Sequence, residues 1–287
     1  MKWLIIQSAG EHDGIRDKWT PNDYLRECFA IKYALETNKQ EADIWGLRHS
    51  NFKSKIDFEG YDIILCIENY EIGWLPDFKA LRKPLKLQWC IDLHCGGRNR
   101  LQKITPNMDM VLHSTRSLLP AYAKLYPKQK HVWFPNGVDD RYFFPKNLPK
   151  KENIVFVAHP RNRGGWIKNL AKDVGMKHYF ETGRDMFKRV SEAKVHFNVS
   201  ISCDVNYRCF ETIGLGTALL TNYIPEMEDL GFRDGINCKL FKTYAECVSG
   251  VGELLKDNRY VSVGENGYTL SKEHTYTKRI KDLLPHI

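Results

Sequence analysis

Residues 62–67, Asp-Ile-Ile-Leu-Cys-Ile, are apolar at every position after the first. A strand that reads this way is covered on both faces, the condition of a parallel sheet lying between helices. Similar short runs recur before it and after it. Lys2–Gln7, Ala42–Trp45, Leu85–Ile91, Met108–Leu112 and His131–Phe134 read as strands, and Asn22–Glu36 and Arg116–Leu125 carry helical spacing. The alternation restarts after Lys151. Asn153–Ala158, Lys177–Phe180, Val195–Val199 and Thr217–Thr221 read as strands, with helices expected over Trp166–Val174, Cys209–Leu215 and most of the chain beyond Tyr244. Repeated strand–helix alternation gives an α/β fold with parallel sheets and right-handed crossovers. A chain of 287 residues has room for two such units. The expectation is two Rossmann-like domains facing across a cleft, with ligands outside the carboxyl ends of the strands.

The join falls near His-Val-Trp-Phe-Pro-Asn-Gly-Val-Asp, residues 131–139. Asn136-Gly137 is a turn signal, since both residues tolerate positive φ, and Pro145 stops a helix from crossing the join. A basic stretch, Lys146–Lys151, follows as a linker.

Composition excludes some classes. Hydrophobic residues at 43% and charged residues at 27% are globular proportions, not those of a disordered chain. No apolar stretch approaches membrane-spanning length, and the opening apolar run is too short for a signal peptide. Eight cysteines without a C-x-x-C pair, several inside apolar runs, suggest a reduced, cytoplasmic protein. A net charge of +8 favours a polyanionic partner: nucleic acid, an anionic surface or a phosphorylated ligand.

Two segments carry a family resemblance. Residues 113–145, HSTRSLLPAYAKLYPKQKHVWFPNGVDDRYFFP, resemble the end of the first domain of GT-B glycosyltransferases. Residues 206–241, NYRCFETIGLGTALLTNYIPEMEDLGFRDGINCKLF, are similar to their nucleotide-binding stretch. HTYTKRIKDLL, residues 274–284, resembles the last helices of bacterial spore-maturation-type members. The resemblance covers roughly residues 108–285, and the amino-terminal third matches in layout alone. It implies an acceptor-side domain over 1–147, a nucleotide-sugar-binding domain over 148–271, and a terminal helix over 272–287 packing back toward the first domain.

The resemblance also implies roles. Glu211 would accept hydrogen bonds from the donor ribose hydroxyls, for which a carboxylate has the acceptor sites. The spacing Arg163 to Lys168 is similar to the family pair on the diphosphate; Arg161 stands beside it, and Gly164-Gly165 would let the backbone come close. Asn206, Arg208 and Thr221 join the donor-side candidates. In phage DNA glucosyltransferases an Asp after a similar aromatic strand is the general base, a slot that Asp92 matches; retaining enzymes have a His nearby, which His94 can match. His12 and Asp13, between Gly10 and Gly14, are further catalytic candidates, and Asp23 is an acceptor-side candidate. Retaining relatives carry E-x7-E, but Cys203 stands eight positions before Glu211. That departure favours inversion with a carboxylate base. No D-x-D metal signature follows a strand of the second domain, so no metal is expected and no cofactor beyond the nucleotide-sugar co-substrate, a UDP-sugar. Two acceptor classes remain open, hydroxymethylated DNA and a cell-surface or small-molecule sugar. A nucleotide-sugar epimerase is the alternative activity, and the oligomeric state is open.

Overall fold

The apolar runs form two all-parallel sheets. The computed structural model describes residues 1–9, 25–69, 71–93, 102–202 and 204–287. By contacts the chain divides into two units, residues 1–135 with 276–287, and residues 136–275.

The first unit contains β1 (Lys2–Ile6), α1 (Glu27–Thr37), β2 (Glu41–Trp45), β3 (Ile63–Ile67), β4 (Leu85–Cys90), β5 (Met110–His113), α2 (Leu119–Leu125) and β6 (Lys130–Trp133). Its sheet runs β2-β1-β3-β4-β5-β6. Every residue of β3 is buried, as its unbroken apolar run requires. Trp3 pairs with Ile63 in register, and Ile63 with Leu85. The connections differ from the simplest alternation: residues 46–62 and 71–84 hold turns and short 3-10 segments where a helix would complete the βαβ unit. An aromatic cluster of Trp45, Phe52, Phe58 and Trp74 covers the sheet there instead.

The second unit contains β7 (Glu152–Val157), α3 (Gly164–Val174), β8 (Lys177–Tyr179), α4 (Gly183–Ser191), β9 (Ala193–Asn198), α5 (Tyr207–Gly214), β10 (Ala218–Asn222), α6 (Glu226–Asp229), β11 (Lys239–Phe241), α7 (Tyr244–Leu255) and α8 (Arg259–Ser271). Its sheet runs β11-β10-β9-β7-β8. Phe156, Phe197, Leu220 and Phe241 form the core with Leu170, Val251 and Val263 from the helices. Each such side chain contributes about 1.5–3 kcal/mol by leaving water. Gly264 is required by a close approach: a Cβ there would lie 2.5 Å from the Gly216 carbonyl oxygen, in the turn that feeds β10. The last helix, α9 (Tyr276–Leu283), belongs to the first unit and packs on α1, where Asn38 Nδ2 donates to the Thr277 carbonyl at 3.0 Å.

The Asn136-Gly137 turn does not form. Neither residue has positive φ, and no turn is formed between Phe134 and Val138. Tertiary pairing outweighs the local preference. Val138 bridges to Thr275, its N–H donates to the His274 carbonyl at 2.9 Å, and Asn136 Nδ2 donates to the Val205 carbonyl. The reversal comes later, where Tyr142 and Phe143 N–H both bond the Asp139 carbonyl and Arg141 pairs with the Asp139 carboxylate. Helix α4 and strand β11 are absent from the sequence reading.

Candidate active site

In the second unit the connection after β7 leads to β8 on one side, and the chain then crosses to β9 on the other. The crevice outside the carboxyl ends of β7 and β9 is therefore this sheet's switch point, the place where such folds bind ligands. Arg163, from the loop after β7, reaches across it: its Nε donates to the Val199 carbonyl beyond β9 at 2.7 Å. Arg161 has φ of 34°, a strained value for a non-glycine residue, and its N–H is held by His159 Nδ1 at 3.0 Å. Gly164 and Gly165 open α3. A Cβ added at either would meet nothing within 4 Å, and neither has positive φ, so internal packing does not require glycine there. Lys168 lies exposed on the same helix.

The loop after β9 is strapped down. Ser200 N–H donates to Asn222 Oδ1 at 2.8 Å, Ser200 Oγ to the Asp204 carbonyl at 2.7 Å, and Asn206 Nδ2 to Ser200 Oγ at 2.9 Å. Asn206 is the N-cap residue of α5, yet its side chain makes no capping bond. The first amides of α5 thus present the partial positive charge of a helix start beside Arg163's loop. In the first turn, Arg208 Nη1 donates to Glu211 Oε2 at 2.6 Å, with both side chains half-buried. Thr221 is fully buried, and its hydroxyl accepts from Asn198 Nδ2 at 3.1 Å. It braces the loop from below. Arg161, Arg163, Asn206, Arg208 and Glu211 therefore come from two elements meeting at one sheet edge. Beyond β10 and β11, an open groove of about 720 Å³ is lined by Tyr223, Glu228, Arg233 and Lys242.

The first unit has its own switch point, between β1 and β3. Gln7, directly after β1, serves α1 as a remote cap: its Oε1 accepts from Cys28 N–H at 2.9 Å and its Nε2 donates to Glu27 at 2.8 Å. Asn69 Oδ1 accepts from Ser8 N–H at 2.8 Å, tying the end of β3 to the end of β1. The buried Glu68 carboxylate accepts from the N–H groups of both Ile91 and Asp92, each at 2.7 Å. These two bonds fix the backbone that carries Asp92. Ser114 Oγ holds the Ile91 carbonyl from the next strand at 2.7 Å. His12, Asp13, Asp23 and His94 lie outside the described residues. Glu68, Asn69 and Gln7 were missed by the sequence reading, though each is a polar residue directly after an apolar strand run. Among the described residues no group of three His, Cys, Asp or Glu is placed to hold a metal ion, and no helix is long and apolar enough to cross a membrane.

Residues 143–285 match the family model described as glycosyl transferase-like. The chain is a GT-B glycosyltransferase. The matched span contains all of β7–β11 and the edge that carries Arg163 and Glu211. No curated protein matches the sequence significantly. Solved structures share the glycosyltransferase's fold over its full length at low identity. The sucrose-phosphate synthase of Thermosynechococcus elongatus is 12% identical, with 99% of this chain and 98% of that one covered and a TM-score of 0.63. Anabaena Alr3699/HepE in complex with UDP-glucose is 11% identical over 100% of both chains, with a TM-score of 0.61. An alpha-glucosyltransferase in complex with UDP-glucose and DNA containing an abasic site is 10% identical over 100% of this chain and 99% of that one, with a TM-score of 0.66.

Proposed function

We propose that this glycosyltransferase moves a hexosyl or pentosyl group from a nucleotide sugar, a UDP-sugar, to an acceptor hydroxyl. The observation that carries the donor reading is the meeting of the Arg161–Arg163 loop, the start of α5 and the Arg208–Glu211 pair at the second unit's switch point. A nucleoside diphosphate needs cations and N–H donors for its phosphates and a carboxylate for its ribose diol. That edge offers all three. Relatives of the same fold are held with UDP-glucose, which supports UDP as the nucleotide.

Acceptor activation is assigned to Asp92. It stands at the carboxyl end of β4, on a backbone fixed by Glu68 and Ser114. Glu68 is already engaged by two amide hydrogens, which leaves it to hold the loop while Asp92 is the carboxylate assigned to the acceptor. Asp92 would take the proton from the attacking hydroxyl as the sugar–phosphate bond breaks, in an inverting transfer.

For the acceptor, DNA carrying hydroxymethyl groups, as in phage, is the favoured class. The net charge of +8 suits a phosphate backbone, and an alpha-glucosyltransferase of the same fold is held with DNA. A cytoplasmic setting suits the buried thiols Cys28, Cys66, Cys90, Cys209, Cys238 and Cys247. The test is turnover of labelled UDP-sugars with hydroxymethylated duplex DNA, unmodified DNA, and free mono- and oligosaccharides. Transfer to modified DNA that fades steeply with salt supports the DNA reading. Transfer to a saccharide alone replaces it with a cell-surface or small-molecule acceptor. Epimerised nucleotide sugar without transfer would overturn the transferase reading.

A further inference from the structure

His196 lies in the middle of β9, wholly buried, one of two described histidines with 1% exposure or less. Its ring is bonded on both sides, and the partners settle its tautomer. Val157 N–H, at the end of β7, can act only as a donor, and it lies 3.3 Å from Nε2. Nε2 is therefore bare, and the proton sits on Nδ1. Nδ1 is 2.6 Å from Thr212 Oγ1 on α5, and Thr212 Oγ1 donates in turn to the Arg208 carbonyl at 2.6 Å. Arg208 then bonds Glu211 through Nη1 at 2.6 Å. Each polar atom in this chain is used in a consistent sense, from Val157 to Glu211. Burial and the nearby Arg208 charge push the His196 pKa down to about 3, so the neutral ring on which the chain depends persists at ordinary pH.

The geometry of the chain has a direction. Val157 is the last residue of β7, immediately before the loop that carries Arg161 and Arg163. Arg208 is in the first turn of α5. The two halves of the donor edge are also joined at the cap of α5, by Arg163 Nε on the Val199 carbonyl and Asn206 Nδ2 on Ser200 Oγ, but past the cap the helix is seated by side chains such as Phe210 and Ile213, whose apolar packing tolerates small slides. A bonded link through a rigid ring does not.

We infer that the buried His196–Thr212 pair is a positioning link that sets the start of α5, with Arg208 and Glu211, against the phosphate-side loop that follows β7. His196 and Thr212 touch no substrate in this account; they act through Arg208. The inference rests on the reading of Arg208 and Glu211 as donor-binding residues.

The test is UDP affinity by calorimetry in a double-mutant cycle. Thr212→Val removes the hydroxyl at nearly constant volume, leaves the imidazole N–H without its partner and takes the side-chain donor from the Arg208 carbonyl. It should weaken UDP about tenfold, within the range by which residues away from a ligand modulate binding. Thr212→Ser, which keeps the hydroxyl, should bind as the wild type does. In the Glu211→Ala background the Thr212→Val effect should shrink to about twofold or less, because the link then has little left to position. If Thr212→Val does not fold, His196→Asn serves in its place: the shorter amide can keep the bond to Thr212 while losing Val157. A Thr212→Val protein with wild-type UDP affinity, or one whose loss is the same with and without Glu211, overturns the link. Those outcomes leave the donor reading standing, which fails by a separate result, unchanged affinity for both UDP and uridine in Glu211→Ala itself.

Discussion

Replacing Glu211 by Ala is the sharpest test of the donor edge, because the structure separates its effect on folding from its effect on binding. The carboxylate is half-buried on α5 and pairs with Arg208 three residues earlier. A partly exposed pair of this kind is worth about 0.3–0.5 kcal/mol to the fold. The buried face of the helix, Cys209, Phe210 and Ile213, is untouched. Stability should therefore barely move. Binding should move a good deal. A hydrogen bond to a charged group contributes about 1.5–3 kcal/mol, which is about ten- to 150-fold in Kd at 1.4 kcal/mol per tenfold. The freed Arg208 complicates the sum in a useful way. Without its carboxylate it adds unpaired positive charge near the start of α5, which favours a diphosphate and does nothing for a nucleoside. The loss should then be larger for uridine than for UDP. Calorimetry with both ligands, alongside a thermal melt, reads all three quantities. Equal Kd values in wild type and variant for both ligands would falsify the ribose assignment, and a large drop in melting temperature would show that the pair matters to the fold instead.

Arg163→Ala and Lys168→Ala should show the opposite preference, weakening UDP much more than uridine; equal losses for the two ligands would remove the phosphate role. Asp92→Asn should keep UDP affinity and lower kcat by about 10²–10⁴, the usual contribution of a general base, and a variant with wild-type turnover would move that role elsewhere. Acid should destabilise both units. Burial holds the His113 pKa down to about 3, with His131 close by, and His196 is held at about 3, against 6.5 for the free side chain. Between those values the unfolded chain binds protons that the fold refuses, so stability is full above about pH 6.5 and falls as pH drops toward 3, by up to about 1.4 kcal/mol per pH unit for each histidine. Urea midpoints that do not shift between pH 7.5 and 5 would contradict this.

The histidine pair of the first unit shows why such features escape a sequence reading. His131 Nε2 faces the Tyr126 carbonyl at 2.8 Å, so it carries the proton, and His131 Nδ1 accepts from His113 Nε2 at 2.9 Å. In sequence these are two isolated histidines on different strands, and nothing local couples them. His196 is the same case, one polar residue inside an apolar strand, meaningful only once β7, β9 and α5 are packed together. Strands such as β3 and β7 were legible because a parallel strand buried on both faces must be apolar throughout. Helix α4 was not, being nine residues long with Met186, Phe187 and Val190 as its buried apolar side chains, too short for periodicity to declare itself. Arg163 and Glu211 were singled out by family resemblance, whereas the bonds they make, to the Val199 carbonyl and from Arg208, have no signature in the sequence.

The Asn136-Gly137 segment carries the argument one step further. Its dipeptide is a strong local turn signal, yet no turn forms there, and Val138 pairs instead with Thr275 and His274. Local preference at a turn is worth about 1 kcal/mol or less, and a bridge pair with its buried hydrogen bond exceeds it. The positions where sequence signals fail are thus those where distant segments meet: the Val138 bridge, the Glu68 carboxylate that ties β3 to β4, and the His196 link from β7 to α5. The Glu68 carboxylate lies at the carboxyl edge of its sheet, and the His196 link reaches that edge at Val157, each near residues to which the chemistry is assigned. A parallel α/β unit places its reactive side chains on loops, and loops hold their geometry through bonds to neighbouring strands. Those bonds run between residues far apart in the chain, so the parts of this enzyme that aim its chemistry are the parts that a linear reading is least able to find.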